Sequence, residues 1–238
     1  MTLRTALIAF ALALAPAAPA SAAEVALAVD PAAGVRLGSA TEMTGRATEA
    51  GAPLTGRTVA LEVRRHPFRR DWEETGVTAT TAADGSFAFS RELDRNHQVR
   101  ARLAGVAPEP DVLSPPANAY VLPAFTLTFR QRAKRVLRLR QTYTVPRDAA
   151  LWAPTRFYVG PCRPRRGRCT GKRAPLRATA ETRRVRAGRY LARARVRIPR
   201  SYRGRFQYVS CFVYSPGSGM GDPDQRCPRK LARLRQSP

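Results

Sequence analysis

The chain has 238 residues, 42 of them Lys or Arg against 17 Asp or Glu, for a formal net charge of +25. A charge of that size bears on partners and solubility, not on fold, and beyond the N-terminal leader no stretch approaches the roughly 20 apolar residues that a transmembrane helix requires. The charge is also uneven, since residues 1–125 hold 12 basic and 13 acidic side chains while residues 126–238 hold 30 and 4. Only Lys134, Lys172 and Lys230 are lysines, so nearly all of the charge is guanidinium, which stays protonated and forks onto phosphate or carboxylate. A genome rich in G and C would favour Arg over Lys. It would not strip acidic residues from one half alone.

Residues 1–22 read as a secretory signal peptide, with Arg4 in a short positive leader, an apolar run over residues 6–15, and Ala20-Ser21-Ala22 as a small-residue cleavage site. The mature chain is expected to start near Ala23 and to be secreted, remaining extracellular or held at the cell surface by charge. Alternating runs follow. Residues 24–29 place Val25, Leu27 and Val29 on one side; residues 58–64 place Val59, Leu61 and Val63 inward with Glu62 and Arg64 outward. Residues 76–81 and 86–90 flank Ala83-Asp84-Gly85, with Phe87 and Phe89 on one face. That pattern predicts a hairpin, because Gly accepts the positive φ such turns demand. Residues 98–103 close the set with Val99, Ala101 and Leu103 inward. Short strands, close turns and no helical periodicity predict an antiparallel β-sandwich over residues 24–107.

The run Gly51-Ala52-Pro53-Leu54-Thr55-Gly56-Arg57-Thr58-Val59-Ala60-Leu61, then Trp72, then Thr80-Thr81-Ala82-Ala83-Asp84-Gly85-Ser86-Phe87, then Val99-Arg100-Ala101-Arg102, resembles the bacterial Ig-like and transthyretin-like (carboxypeptidase regulatory-like) modules of secreted proteins. The resemblance spans residues 24–122. It implies a β-sandwich used as spacer or adhesion module, without catalysis, and transfers no functional residue because these motifs are turn and core positions.

Pro108, Pro110, Pro115, Pro116 and Pro123 mark residues 108–123 as a stiff connector, part of which could form an edge strand of the first sandwich. The charge shift and the cysteines begin beyond it, so a second module is expected over residues 124–229, followed by a basic tail at 230–238. The expected fold is therefore all-β, with two Ig-like antiparallel sandwiches in tandem after the signal peptide. In the second module Phe125, Leu127 and Phe129 alternate with Thr126, Thr128 and Arg130. Leu137, Leu139, Tyr143 and Val145 alternate with Arg138, Arg140, Thr142 and Thr144, and Ala192, Ala194, Val196 and Ile198 alternate with Arg193, Arg195 and Arg197. Such strands have one buried and one basic face, with like-facing arginines roughly 6.5–7 Å apart. An aromatic run at residues 206–214 surrounds Cys211. The segments Gly188-Arg189-Tyr190, residues 198–206, Ser210 to Tyr214, residues 217–223 and Cys227-Pro228 resemble the C-terminal part of uncharacterised secreted proteins of high-GC Gram-positive bacteria, which implies a disulfide-linked module and no activity.

Cys162, Cys169, Cys211 and Cys227 are even in number and, in an exported chain, read as disulfides. Pairing of 162 with 169 and of 211 with 227 is preferred because each closes a loop rich in Pro, Gly and Arg. Their spacings do not match the closely spaced Cys pairs of zinc sites, and no metal or other cofactor is expected. Asp222-Pro223-Asp224 offers too few carboxylates for a dedicated calcium site.

Enzymatic readings are weak. His66 beside Pro67 and His97 beside Asn96 would need a serine without any G-x-S-x-G elbow. Paired carboxylates would have to come from Glu62, Asp71, Glu73, Glu74 or Glu92, all at positions that fit exposed strands or loops. Trp72, Trp152, Tyr158 and Tyr208 could stack on sugars or bases, and aromatics on a sandwich are more often core.

The one functional candidate is a polyanion-binding surface formed by Arg138, Arg140, Arg163, Arg165, Arg166, Arg168, Arg193, Arg195 and Arg197. Like charges this close repel, so such a face is easier to maintain with an anion bound. The partner would be an anionic polysaccharide or wall polymer, bound through salt-sensitive contacts. No recognition helix, zinc finger or RNA-binding aromatic motif supports sequence-specific nucleic-acid binding. The alternatives are a purely structural or adhesion protein whose charge is incidental and, less favoured, an extracellular hydrolase. Oligomeric state is left open.

Overall fold

The structure, a computed structural model, describes residues 22–107, 109–133, 135–151, 153–161, 163–165, 168–170, 176–200, 205–217, 220 and 223–233. The expected signal peptide apart from Ala22, together with Trp152, Cys162, Arg166 and Asp222, lies outside them. The described residues contain no helix, and the fold is an all-β sandwich architecture in which all but one strand pair is antiparallel.

The first half runs through β1 (Ala23–Asp30), β2 (Val35–Arg36), β3 (Ala40–Glu49), β4 (Ala52–Pro53), β5 (Thr58–Arg65), β6 (Glu73–Thr80), β7 (Ser86–Glu92), β8 (His97–Leu103), β9 (Val112–Leu113), β10 (Ala117–Ala119) and β11 (Val121–Leu122). Strand β3 is the hub of one sheet, pairing with β1, β4 and β7. The other sheet is ordered β10-β8-β5-β6, with β9 also on β8. Between them Met43, Ala47, Phe87 and Phe89 meet Val59, Leu61, Val63, Val99, Ala101 and Leu103 in one buried cluster. The alternation read at β1, β5, β7 and β8 is the alternation that fills this core. Residues 112–122 pair into the same half: β9 and β10 lie on β8, and β11 runs parallel to β2.

Three features of this half depart from the sequence reading. The Asp84-Gly85 turn forms, with the Gly85 amide donating to the Ala82 carbonyl (2.9 Å) and Gly85 at φ 80°. It joins no hairpin, however, because β6 pairs with β5 and β7 pairs with β3, so the turn carries the chain from one sheet to the other. Glu62 is not left open to solvent. It points outward as the alternation predicts, opposite Arg100 in the unbroken β5–β8 ladder, but Arg100 and Arg102 close over it and leave it 6% exposed. Trp72 is not in the core either, but stacks on the outer face between Arg64 and Arg100, with guanidinium carbons 4.8 and 4.3 Å from the ring centroid.

The second half comprises β12 (Ala124–Ala133), β13 (Val136–Thr144), β14 (Ala150–Leu151), β15 (Thr155–Pro161), β16 (Arg163–Arg165), β17 (Arg168–Thr170), β18 (Leu176–Ala180), β19 (Thr182–Arg186), β20 (Arg189–Arg197), β21 (Arg205–Ser215), β22 (Asp224–Arg226) and β23 (Arg229–Arg233). One sheet is ordered β12-β13-β20-β19. The facing sheet is ordered β14-β21-β15-β18, with β22 and β23 also on β21. A second buried cluster lies between them, built from Leu127, Leu137, Leu139, Tyr143, Val196 and Ile198 on one side and Phe157, Val159, Phe206, Tyr208, Phe212 and Tyr214 on the other. Edge-on ring contacts such as Phe129–Tyr208 (4.9 Å) and Tyr143–Phe212 (4.6 Å) lock the layers together.

Cys211 on β21 is bonded to Cys227, with Cα atoms 4.1 Å apart. This is the pairing preferred from sequence. The expected 162–169 pairing falls on residues whose side chains are not described. Residues 230–233, read as the start of a basic tail, lie in β23 and pair with β21.

Candidate functional site

In an antiparallel ladder, residues directly opposite each other project to the same side of the sheet, so register decides which charges become neighbours. Strand β13 lies between β12 and β20 and sets that register. Arg138 is opposite Arg130 on one side and Arg195 on the other. Arg140 is opposite Thr128 and Arg193, and Arg197 is opposite Val136. Arg130, Arg138, Arg140, Arg193, Arg195 and Arg197 are all exposed, while Leu137, Leu139, Ala192 and Val196 between them are buried. The apolar residues thus fix the sheet's inner face against the core, and the alternation turns every intervening arginine outward.

Of the nine arginines proposed from sequence, the structure brings five together on this face: Arg138, Arg140, Arg193, Arg195 and Arg197. Arg163, Arg165 and Arg168 lie elsewhere, on the two-stranded β16–β17 hairpin, which follows β15 of the opposite sheet. Arg166 lies outside the described residues. Four arginines on this face are not among the nine: Arg130, Arg183, Arg186 and Arg189. Arg130 joins the row from β12, and its alternation with Phe129 was the signal for it. Arg183, opposite Leu191, and Arg186, opposite Arg189, extend the outer face across β19. Their places depend on a strand that has almost no apolar alternation, its pattern being Thr-Arg-Arg-Val-Arg.

The electrostatics are one-sided. Among the described residues no Asp or Glu occupies an outward position on these four strands, and Glu181 at the β18–β19 corner is the nearest acid in sequence. None of Arg130, Arg138, Arg140, Arg193, Arg195 or Arg197 makes an ion pair or a side-chain hydrogen bond. Like charges directly opposite in a ladder destabilise it, and here three stand in one row. The hydroxyls on the same face are loosely held. Thr128 Oγ1 donates to the Arg140 carbonyl at 3.3 Å, and Thr142 Oγ1 to the Thr126 carbonyl at 3.5 Å.

The residues weighed for catalysis have other partners. The His97 Nδ1–H donates to the Arg95 carbonyl (2.8 Å), and burial holds the imidazole below its usual range. His66 faces the buried Asp148 carboxylate at 3.5 Å and donates through Nε2 to the Met220 carbonyl (3.2 Å). Burial pushes the Asp148 carboxyl upward, against the opposing pull of His66. Glu62 is bound by Arg100 (2.6 Å) and Arg102 (3.0 Å), and Asp224 by the Tyr214 hydroxyl (3.3 Å) and Arg226 (3.5 Å). Among the described residues there is no group of three or more His, Cys, Asp or Glu side chains that could hold a metal ion. No helix among them is long and apolar enough to cross a membrane.

No family model matches the chain, and no curated protein matches it in sequence. Among solved structures it is similar to a DUF3823 family protein from Bacteroides ovatus, at 13% identity over 81% of this chain and 98% of that one, with a TM-score of 0.33. It is similar also to bovine butyrophilin, at 13% identity over 89% of this chain and 98% of that one, with a TM-score of 0.36.

Proposed function

We propose that this is a secreted, non-catalytic β-sandwich protein whose four-stranded basic sheet face adsorbs to anionic polymer of the cell envelope or matrix, with the first half, as a separate sandwich, acting as spacer. The observation that carries the reading is the ladder register: Arg130, Arg138 and Arg195 stand directly opposite one another, as do Arg140 and Arg193, with no carboxylate among the described residues to answer them. An anion is the missing partner such an arrangement calls for, and the guanidinium fork suits phosphate and carboxylate alike. The Cys211–Cys227 bond and the leader at residues 1–22 support an extracellular setting.

The test is retention of the full chain on a dextran sulfate column as salt rises. The unmodified protein elutes late, and a variant carrying Arg138→Gln, Arg140→Gln, Arg193→Gln and Arg195→Gln elutes at clearly lower salt. Its log–log salt slope is shallower by about 3, since each lost phosphate-type contact removes roughly 0.7–0.9. Elution of the two at the same salt would overturn the reading.

A further inference from the structure

The basic face distinguishes among anions by its spacing and by what it lacks. This rests on the polyanion reading and goes further, to the chemistry of the polymer. The seam between β13 and β20 presents a run of cross-strand pairs: Arg138 with Arg195, then Arg140 with Arg193, then Thr142 with Leu191, then Thr144 with Arg189. Successive pairs are two residues apart along the strand, which is about 6.8 Å. A polymer lying along this seam therefore meets paired guanidiniums at that interval, and each pair can clamp one tetrahedral anion from two sides.

An extended chain advances about 1.2 Å per skeletal bond, as the polypeptide does with three bonds in about 3.5 Å. A phosphodiester polymer of a three-carbon polyol has two P–O, two C–O and two C–C bonds in its repeat. It thus places one phosphate every ~7 Å when extended. That repeat matches the interval of the arginine pairs. A five-carbon polyol lengthens the repeat to roughly 9–10 Å and falls out of step after one or two phosphates.

The rest of the face agrees. No outward position of the four strands is aromatic among the described residues, because Phe125, Phe129 and Tyr143 all turn inward onto Phe212 and Tyr208. Single-stranded nucleic acid relies on such rings for stacking, and this face offers it none. What lies beside the arginines instead is hydroxyl, from Thr126, Thr128 and Thr142; the Thr128 and Thr142 hydroxyls donate within the sheet at 3.3 and 3.5 Å and keep lone pairs to accept from a polyol.

We infer that the seam of β13 and β20 is a recognition track for a polyol-phosphate polymer with a three-carbon repeat, its phosphates seated on the Arg138–Arg195 and Arg140–Arg193 pairs and its free hydroxyls on the neighbouring threonines.

The experiment titrates the full chain into four fluorescent probes matched for number of charges: poly(glycerol phosphate), poly(ribitol phosphate), polygalacturonate and single-stranded oligo-dT. Poly(glycerol phosphate) is expected to bind at least about tenfold more tightly than the others. The Arg138→Gln/Arg195→Gln and Arg140→Gln/Arg193→Gln double variants, exposed positions whose melting curves serve as the control for folding, lose that preference. Thr142→Val weakens poly(glycerol phosphate) and leaves oligo-dT unchanged. Equal binding of all four probes overturns the inference and leaves the polyanion reading standing. Tightest binding to oligo-dT or polygalacturonate also overturns it, in favour of that polymer. Binding of none overturns both.

Discussion

Each half of the molecule turns one arginine-bearing sheet face to solvent, and the two faces handle their charge in opposite ways. On the β10-β8-β5-β6 sheet, Arg100 and Arg102 close over Glu62, Arg102 also reaches Asp111 (2.8 Å) and Glu74 (2.5 Å), and Arg64 and Arg100 sandwich Trp72. On the β12-β13-β20-β19 sheet the arginines are as regularly placed and have no such partners among the described residues. The same residue type in the same architecture is a structural part on one face and an open valence on the other. What separates them is the supply of acid: 13 carboxylates before residue 126 and 4 after it. An arginine-rich strand is therefore not in itself a binding site. It becomes a candidate when its register leaves guanidiniums facing only one another.

The contrast can be broken most sharply at Glu62. Glu62→Ala leaves the Arg100 and Arg102 guanidiniums without their shared, nearly buried carboxylate, and is expected to cost about 3 kcal/mol in chemical denaturation. Trp72→Ala removes two cation–π contacts and half-buried ring area on the same face, for a loss of about 2 kcal/mol by the same measurement. At the end of β8, burial disfavours protonated His97 in the folded state, so the unfolded chain takes up its proton first, near pH 6.5. Stability should fall as pH drops from there through the lower folded value, with a slope no steeper than about 1.4 kcal/mol per pH unit, and His97→Gln should flatten that limb of the curve. Smallest of all is the effect on the other face. Replacing Arg138, Arg140, Arg193 and Arg195 together by Gln should shift stability by no more than about 0.5 kcal/mol, upward at low salt as repulsion is relieved, and the gain should vanish in high salt. A loss as large as that at Glu62 would mean the two faces are alike after all.

Much of the inner surface of both sandwiches is legible in the sequence, because inward positions at β5, β8, β13 and β20 are apolar at every second residue apart from the buried Gln141 on β13 and His97 at the start of β8. Strand β3 is not, since its inward residues are Thr41, Met43, Gly45 and Ala47, which carry no apolar rhythm. The reason is steric: a Cβ on Gly45 would meet the Phe87 ring at 2.2 Å and the Ala26 carbonyl at 2.3 Å, so the strand is pared down to admit its neighbours. The Asp84-Gly85 turn is legible as a reversal, but turn residues fix local φ and ψ and leave the choice of ladder partner to distant strands. Glu62 reads as outward by alternation and is outward, but that Arg100 and Arg102 would close over it depends on the β5–β8 register, which the local pattern does not contain. In the candidate site the outward arginines of β13 and β20 are legible one strand at a time. That Arg138 faces Arg195 and Arg140 faces Arg193 is not, because register between strands some 50 residues apart in sequence is set by the packed core.

The Cys211–Cys227 bond has a mechanical meaning. Strand β23 pairs with β21 from Arg229 opposite Val209 to Arg233 opposite Arg205, so tension applied at residue 233 peels it away one residue at a time, starting from its far end. The peeling ends two residues beyond Arg229, where Cys227 hands the force to Cys211 in the middle of β21. Hydrogen bonds give way in sequence up to that point, and a covalent link carries the load beyond it.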